Sequence, residues 1–93
     1  MTAPGPVRRR AVVRGQVQGV YFRDTVRQAA EERGVAGWAR NRDDGAVEVV
    51  LEGPRDGVEA VIERCRTGPP EALVASVEVT EEPPQGLRGF GIA

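Results

Sequence analysis

Between Arg14 and Phe22 the chain reads Gly15-Gln16-Val17-Gln18-Gly19-Val20-Tyr21, and behind it Phe22, Val26, Ala29 and Ala30 recur at helical spacing. A strand that breaks into a glycine loop and then enters a helix leaves several backbone N–H groups without intrahelical partners, all turned toward the same space. Such a nest attracts an anion. Gly15 and Gly19 can take positive φ angles and let an anion come close to the backbone, where a side chain would obstruct it. Arg23 falls in the first turn of that helix, where a cation opposes the helix dipole at a cost of about 0.3 to 1 kcal/mol. A bound anion would offset that cost. Spacing alone equally allows an ordinary strand-to-helix turn, with Arg23 paired to Asp24 or to water. Arg27 has its own partner four residues on, in Glu31.

Composition removes most competing chemistries. All 13 basic residues are arginine, so neither a Walker phosphate loop nor a Schiff base is available. The chain has no histidine, which excludes a Ser-His-Asp triad and a histidine general base. The single Cys65 forms neither an internal disulfide nor a CxxC metal pair, and a zinc site built from carboxylates alone is rare. The dinucleotide fingerprint fails because only Gly15 and Gly19 punctuate the loop. Chemistry here rests on Arg, Asn, Asp, Glu, Ser, Thr, Tyr and the backbone, with no metal and no cofactor expected.

The elements that must position this loop emerge from periodicity. Ninety-three residues suit one compact domain. We expect a loose leader over Met1 to Pro6 and a single domain over 7–93. Val7 to Arg14 reads as a strand with one face in water, and Arg8, Arg10 and Arg14 share a side of it. Gly34 sits at the C-cap of the first helix. Val35 to Asn41 and the alternating Val47, Val49 and Leu51 form a hairpin around Asp43-Asp44-Gly45. Val58, Val61, Ile62 and Cys65 make the apolar stripe of a second helix, started by Pro54 and ended by Gly68-Pro69-Pro70. Leu73 to Thr80 alternates as a strand, with Leu73, Ala75, Val77 and Val79 on one face. A last short strand contains Leu87, Phe90 and Ile92. The fold class is α+β, a βαββαβ ferredoxin-like sandwich with two helices on one face of an antiparallel sheet. Cys65, Trp38 and Phe22 are expected in the core, and Asp43 and Asp44 in the hairpin turn.

Two motifs carry a resemblance. Val13-Arg14-Gly15-Gln16-Val17-Gln18-Gly19-Val20-Tyr21-Phe22-Arg23 resembles the first signature of the acylphosphatase family. Gly37-Trp38-Ala39-Arg40-Asn41, succeeded by Gly45, Val47 and Gly53, resembles the second. The resemblance covers nearly the whole chain, and the family's fold is the same βαββαβ order. It implies that the loop of Gly15, Gln16, Val17, Gln18, Gly19 and Val20 binds a phosphate, that Arg23 is its principal cation, and that Asn41 holds an attacking water. It further implies an enzyme that cleaves acyl phosphates to a carboxylate and inorganic phosphate without a metal. The end of the chain, Phe90-Gly91-Ile92-Ala93, departs from the pattern by lacking the Tyr or Arg often found there.

That chemistry suits the side chains available. An acyl phosphate expels a carboxylate whose conjugate acid has a pKa of about 4, so the leaving group needs no protonation. A phosphate ester expels a poor alkoxide and normally needs an acid or a metal. The alternative reading is a non-catalytic phosphate-binding module on the same sandwich. A nucleic-acid partner is not expected, because the four aromatic residues form no stacking pair. No run of residues approaches the roughly 18 apolar positions of a membrane span. Arg8-Arg9-Arg10 leads into only three apolar residues before Arg14, too few for an export signal. A monomer in the cytoplasm, with a small-molecule acyl phosphate and inorganic phosphate as its partners, is the resulting expectation.

Overall fold

A computed structural model describes residues 5–93. The expected leader lies largely outside the described residues. The elements run β1 (Val7–Gln16), α1 (Phe22–Glu32), β2 (Ala36–Asn41), β3 (Val47–Gly53), α2 (Arg55–Thr67), β4 (Leu73–Glu82) and β5 (Phe90–Ile92). They form one five-stranded sheet in the order β4-β1-β3-β2-β5. This is the βαββαβ sandwich, extended by β5. One detail differs from an all-antiparallel sheet: β5 runs parallel to β2, so the sheet is mixed. A strand that returns to the far edge by way of the segment after β4 enters in that direction, and a parallel partner is the result.

The core lies between the helices and one face of the sheet. Ala11, Val13, Ala39, Val47, Val49 and Leu51 pack there against Phe22, Val26, Ala30, Val58, Val61, Ile62 and Cys65. Burial pushes the Cys65 thiol up to about 12, so it fills space and stays protonated. Helix α1 ends in a Schellman motif: Val35 N–H donates to Ala30 at 2.9 Å and Gly34 N–H to Glu31 at 3.4 Å, with Gly34 at φ 64°.

Two sequence expectations change. Trp38 is not in this core. Gly37 and Ala39 take the helix-facing positions of β2, so alternation turns Trp38 to the opposite face. There its ring lies 5.7 Å from the guanidinium carbons of both Arg10 and Arg40. In β4, Leu73, Ala75, Val77 and Val79 do not share a face. The β1–β4 register shifts between Arg14, opposite Ser76, and Gly15, opposite Val74. Ala75 is the extra residue of a bulge, so Val74 joins Val77 on the core side and Leu73 is 64% exposed. The last strand is also shorter than expected. Leu87 precedes it, and its N–H, like that of Gln85, donates to the Glu52 carboxylate at 2.7 Å.

The other sheet face is covered by ion pairs. Arg8 and Arg10 both reach Glu82, Arg8 also reaches Glu52, and Arg10 and Arg40 converge on Glu48. Arg14 meets Glu78 and Asp44. The side shared by Arg8, Arg10 and Arg14 is therefore a neutralised ladder and no free basic patch. Burial alone would push the Glu48 carboxyl up, but hydrogen bonds from Arg40 and Arg10 outweigh it and hold it low. Glu52 is held low by backbone N–H groups, that of Gln85 foremost, and Glu82 by Arg10 and then Arg8.

Folded-state values depressed below the ordinary 4.5 supply stability that is present above that pH and lost as pH falls through the depressed values. Thermal melts should therefore show a falling Tm as pH drops below about 4.5, with little change between pH 6 and 8. Glu52→Gln should lower Tm at neutral pH and shallow the acid limb. An acid limb as steep as in the unaltered chain would count against Glu52 as a contributor.

Candidate active site

The loop and the hairpin meet at one end of the sheet. Register places Gln16 opposite Leu73, Val13 opposite Val47, and Val47 opposite Asn41. The C-terminal ends of β1 and β2 thus lie side by side with β3 between them. Loop 17–21 leaves β1 and leads into α1, while Asn41 closes β2. Val17, Gly19, Tyr21, Phe22, Arg23, Asp24, Asn41 and Ile92 line a cavity of about 320 Å³ at this end. Residues 23 and 41, separated by two elements in sequence, are brought to one concavity.

The loop's members do different things. Gly15 and Gln16 belong to β1, paired with Val74 and Leu73, and do not line the cavity. Gly15 has φ 131°, and a Cβ there would stand 2.1 Å from the carbonyl oxygen of Leu73. Its bareness serves the bulge. Gly19, at φ 76° with open space where a Cβ would be, is the glycine that faces the cavity. Val17 is buried in the core and also borders the cavity. Val20 packs against the core. Gln18 turns its side chain away, its amide donating to the carbonyls of Arg42 at 2.8 Å and Ala46 at 2.9 Å. It ties the phosphate-loop candidate to the hairpin turn that carries Asn41.

That turn is built as its residues suggest. Arg42 N–H donates to Ala46, Gly45 N–H to Arg42, and Ala46 N–H to the Asp44 carboxylate at 3.1 Å. The Ala46 N–H and the Arg14 and Arg42 guanidiniums hold the Asp44 carboxyl low. Asp44 is thereby committed to the turn.

Tyr21 stands at the N-cap of α1 with φ 60° and ψ 26°, and no side chain caps the helix. A left-handed tyrosine costs about 1 to 2 kcal/mol relative to ordinary backbone. Thr25 N–H bonds to the Tyr21 carbonyl, and none of the backbone N–H groups from Gln18 to Asp24 donates to an acceptor among the described residues. They are donors left free in the way an anion nest requires. Asp24 lines the same cavity but is engaged elsewhere: Arg27 and Gln28 hydrogen-bond its carboxylate, and Arg27, then Gln28, holds it low. Arg27 also meets Glu31 at 3.6 Å. Arg23 meets no Asp or Glu side chain among the described residues. Its Nη1 donates to the backbone oxygen of Ala93 at 2.8 Å.

Ile92 and Ala93, read from sequence as the end of the last strand and a departure from the family pattern, were not named as site residues there. β5 sets them beside β2, with Ile92 opposite Ala39 and Ala93 N–H donating to Ala39 at 2.9 Å. The contact to Arg23 comes from backbone, so no side-chain type at position 93 signals it. Among the described residues no three His, Cys, Asp or Glu side chains gather to hold a metal. No helix is long and apolar enough to cross a membrane.

The acylphosphatase family model matches residues 9–92, spanning the loop, the hairpin and β5. The chain belongs to the acylphosphatase family. It is 54% identical over 80 residues to an acylphosphatase of Haloquadratum walsbyi, covering 86% of each chain. It is 49% identical over 86 residues to one of Natronomonas pharaonis, covering 92% of this chain and 94% of that one. The crystal structure of acylphosphatase from Bacillus subtilis superposes with a TM-score of 0.90 at 40% identity, covering 94% of this chain and 98% of that one. Membership makes this chain a hydrolase, and acyl phosphate hydrolysis is the family's reaction.

Within this acylphosphatase-family site the two glycines should separate cleanly by measurement. Gly15→Ala drives a methyl into the Leu73 backbone and should lower unfolding free energy by about 2 to 4 kcal/mol in urea titrations. Gly19→Ala meets no atom and should cost only about 1 to 2 kcal/mol for its left-handed backbone. Equal losses would contradict the distinct roles given to them.

Proposed function

We propose that the chain hydrolyses acyl phosphates by in-line attack of a water oriented by Asn41, with the phosphate held by the backbone of the loop and by Arg23. The observation that carries this reading is the convergence of unpaired N–H groups, Arg23 and Asn41 on a single cavity. Residues 7–93 act as one unit, and no nucleic acid, membrane or second copy is needed to complete the site.

The phosphate's equatorial oxygens take the N–H groups at the end of the loop and the first turn of α1. The positive end of the helix dipole lies there as well. Arg23 exchanges its main-chain acceptor at Ala93 for the phosphate, whose oxygens carry more negative charge and can take the guanidinium in a charge-assisted bond. Asn41 is too weak a base to take a proton, but its amide can accept a hydrogen bond from water and fix its direction. Water oxygen then bonds to phosphorus while the bond from phosphorus to the acyl oxygen breaks, its electron pair leaving on the carboxylate. The proton of the attacking water passes to a phosphate oxygen, so the products are carboxylate and inorganic phosphate. No protein group changes charge in this sequence. What the chain supplies is position and electrostatic stabilisation. Expected localisation in the cytoplasm fits this reading, since no step needs a disulfide or a membrane.

The test compares benzoyl phosphate with p-nitrophenyl phosphate in the presence of a chelator. The acyl phosphate should turn over and the ester should be far slower. Arg23→Ala should lose affinity for phosphate and about 1,000-fold or more in turnover. Asn41→Ala should lose about 100 to 1,000-fold in kcat while inorganic phosphate still inhibits. Phosphate binding without turnover in the unaltered chain would favour the binding module. Because no histidine exists to titrate, kcat should show no inflection at about pH 6.5.

A further inference from the structure

We propose that the acyl group of the substrate lies in a groove between Tyr21 and Pro69–Pro70, and that this groove favours apolar and aromatic acyl phosphates over small ones. The proposal rests on the in-line reading of the site and adds the class of acyl group to it.

Tyr21 is 81% exposed and lines two concavities at once. One is the cavity that holds Arg23 and Asn41. The other is an adjoining groove of about 230 Å³ walled by Val20, Pro69, Pro70 and Glu71. The left-handed backbone at Tyr21 turns its ring out of the core and leaves it on the ridge between them. Continuity through this ring gives a ligand anchored in the first cavity a path into the second.

Direction comes from sheet order. At the site end, β4 and β2 are separated by β1 and β3, a distance of roughly 14 Å at about 4.8 Å per strand. Asn41 closes β2, Pro69 and Pro70 immediately precede β4, and the loop after β1 sits between. In-line displacement puts the leaving oxygen opposite the attacking water. With water on the β2 side, the acyl group departs toward β4, where the groove lies. Ile92, the other exposed apolar residue of the cavity, stands beside β2 and so on the water's side.

The groove's walls suit a flat or branched apolar group. Val20, the tyrosine ring and two proline rings carry no charge, and Pro69 is buried. The segment is preset by a turn in which Ala72 N–H donates to Pro69 at 3.0 Å. A wall that needs no ordering on binding gives more of its contact to affinity. An acetyl group offers this wall a single methyl, whereas a benzoyl ring can lie against Tyr21 and the prolines, away from the Glu71 carboxylate that also borders the groove.

The experiment measures kcat/KM for benzoyl phosphate and acetyl phosphate in the unaltered chain, in Tyr21→Asn and in Pro70→Ser. Asparagine accepts left-handed backbone, so the first variant removes the ring and keeps the local conformation. The benzoyl-to-acetyl ratio should fall about tenfold in Tyr21→Asn, chiefly through KM for benzoyl phosphate, and to a smaller extent in Pro70→Ser. General damage to the fold lowers both substrates together and leaves the ratio unmoved. A ratio unchanged in both variants overturns the groove. Turnover of neither substrate by the unaltered chain overturns the hydrolytic reading on which it rests.

Discussion

The close approach of β1 and β4 at Gly15 governs the path of the chain into the site. One residue before β1 ends, at Gly15, a side chain has no room, because the Leu73 carbonyl occupies that space. The extra residue in β4 twists the pair at that point, and a twisted strand end releases the chain away from the ladder. The released segment is a loop with N–H groups that no neighbouring strand can use. Phe22 then anchors the first turn of α1 in the core, 2% exposed. The loop is thus stretched between two fixed points, the bulge and a buried ring. The N–H groups from Gln18 to Asp24 meet no acceptor among the described residues.

The second half of the site is held by a comparable constraint. Asn41 ends β2 on the helix-facing side, in step with Ala39 and Gly37. A hairpin turn at that place would normally be mobile, yet Gln18 bonds two of its carbonyls from across the sheet end. Two hydrogen bonds at about 1 kcal/mol each do not make the fold. They fix a distance between the loop and the turn that follows Asn41. A residue read from sequence as part of the loop thus also ties, by its side chain, the loop to that turn.

The order of elements was legible because each carries a period: alternating valines in β3, the i, i+3, i+4, i+7 stripe of α2, the Asp-Asp-Gly turn. Convergence of Arg23 and Asn41 was legible only through the family resemblance, since nothing in spacing says that residues 18 apart share a cavity. Three features were hidden for physical reasons. The β4 bulge breaks alternation without a glycine or proline of its own, its cause lying in β1. Trp38 looks like core by type, but the parity of β2 is decided by Gly37 and Ala39. The contact of Arg23 with Ala93 uses backbone, so any residue type there would give the same sequence signal.

A chain whose only cations are arginines faces a difficulty at an anion site, because every guanidinium is a rival for the ligand. Arginine does not titrate near neutral pH, so rivals cannot be silenced by losing a proton. They are silenced here by pairing. Arg8, Arg10, Arg14, Arg40 and Arg42 lie against carboxylates. Several of those carboxyls are held below their ordinary values and so stay charged. Asp24, the acid nearest the nest in sequence, is drawn off by Arg27. Arg23, the basic residue among the cavity's lining, meets no Asp or Glu side chain among the described residues and bonds instead to the main-chain oxygen of Ala93. The carboxylates that occupy the other arginines thus leave Arg23 as the guanidinium of the cavity that no acidic side chain engages.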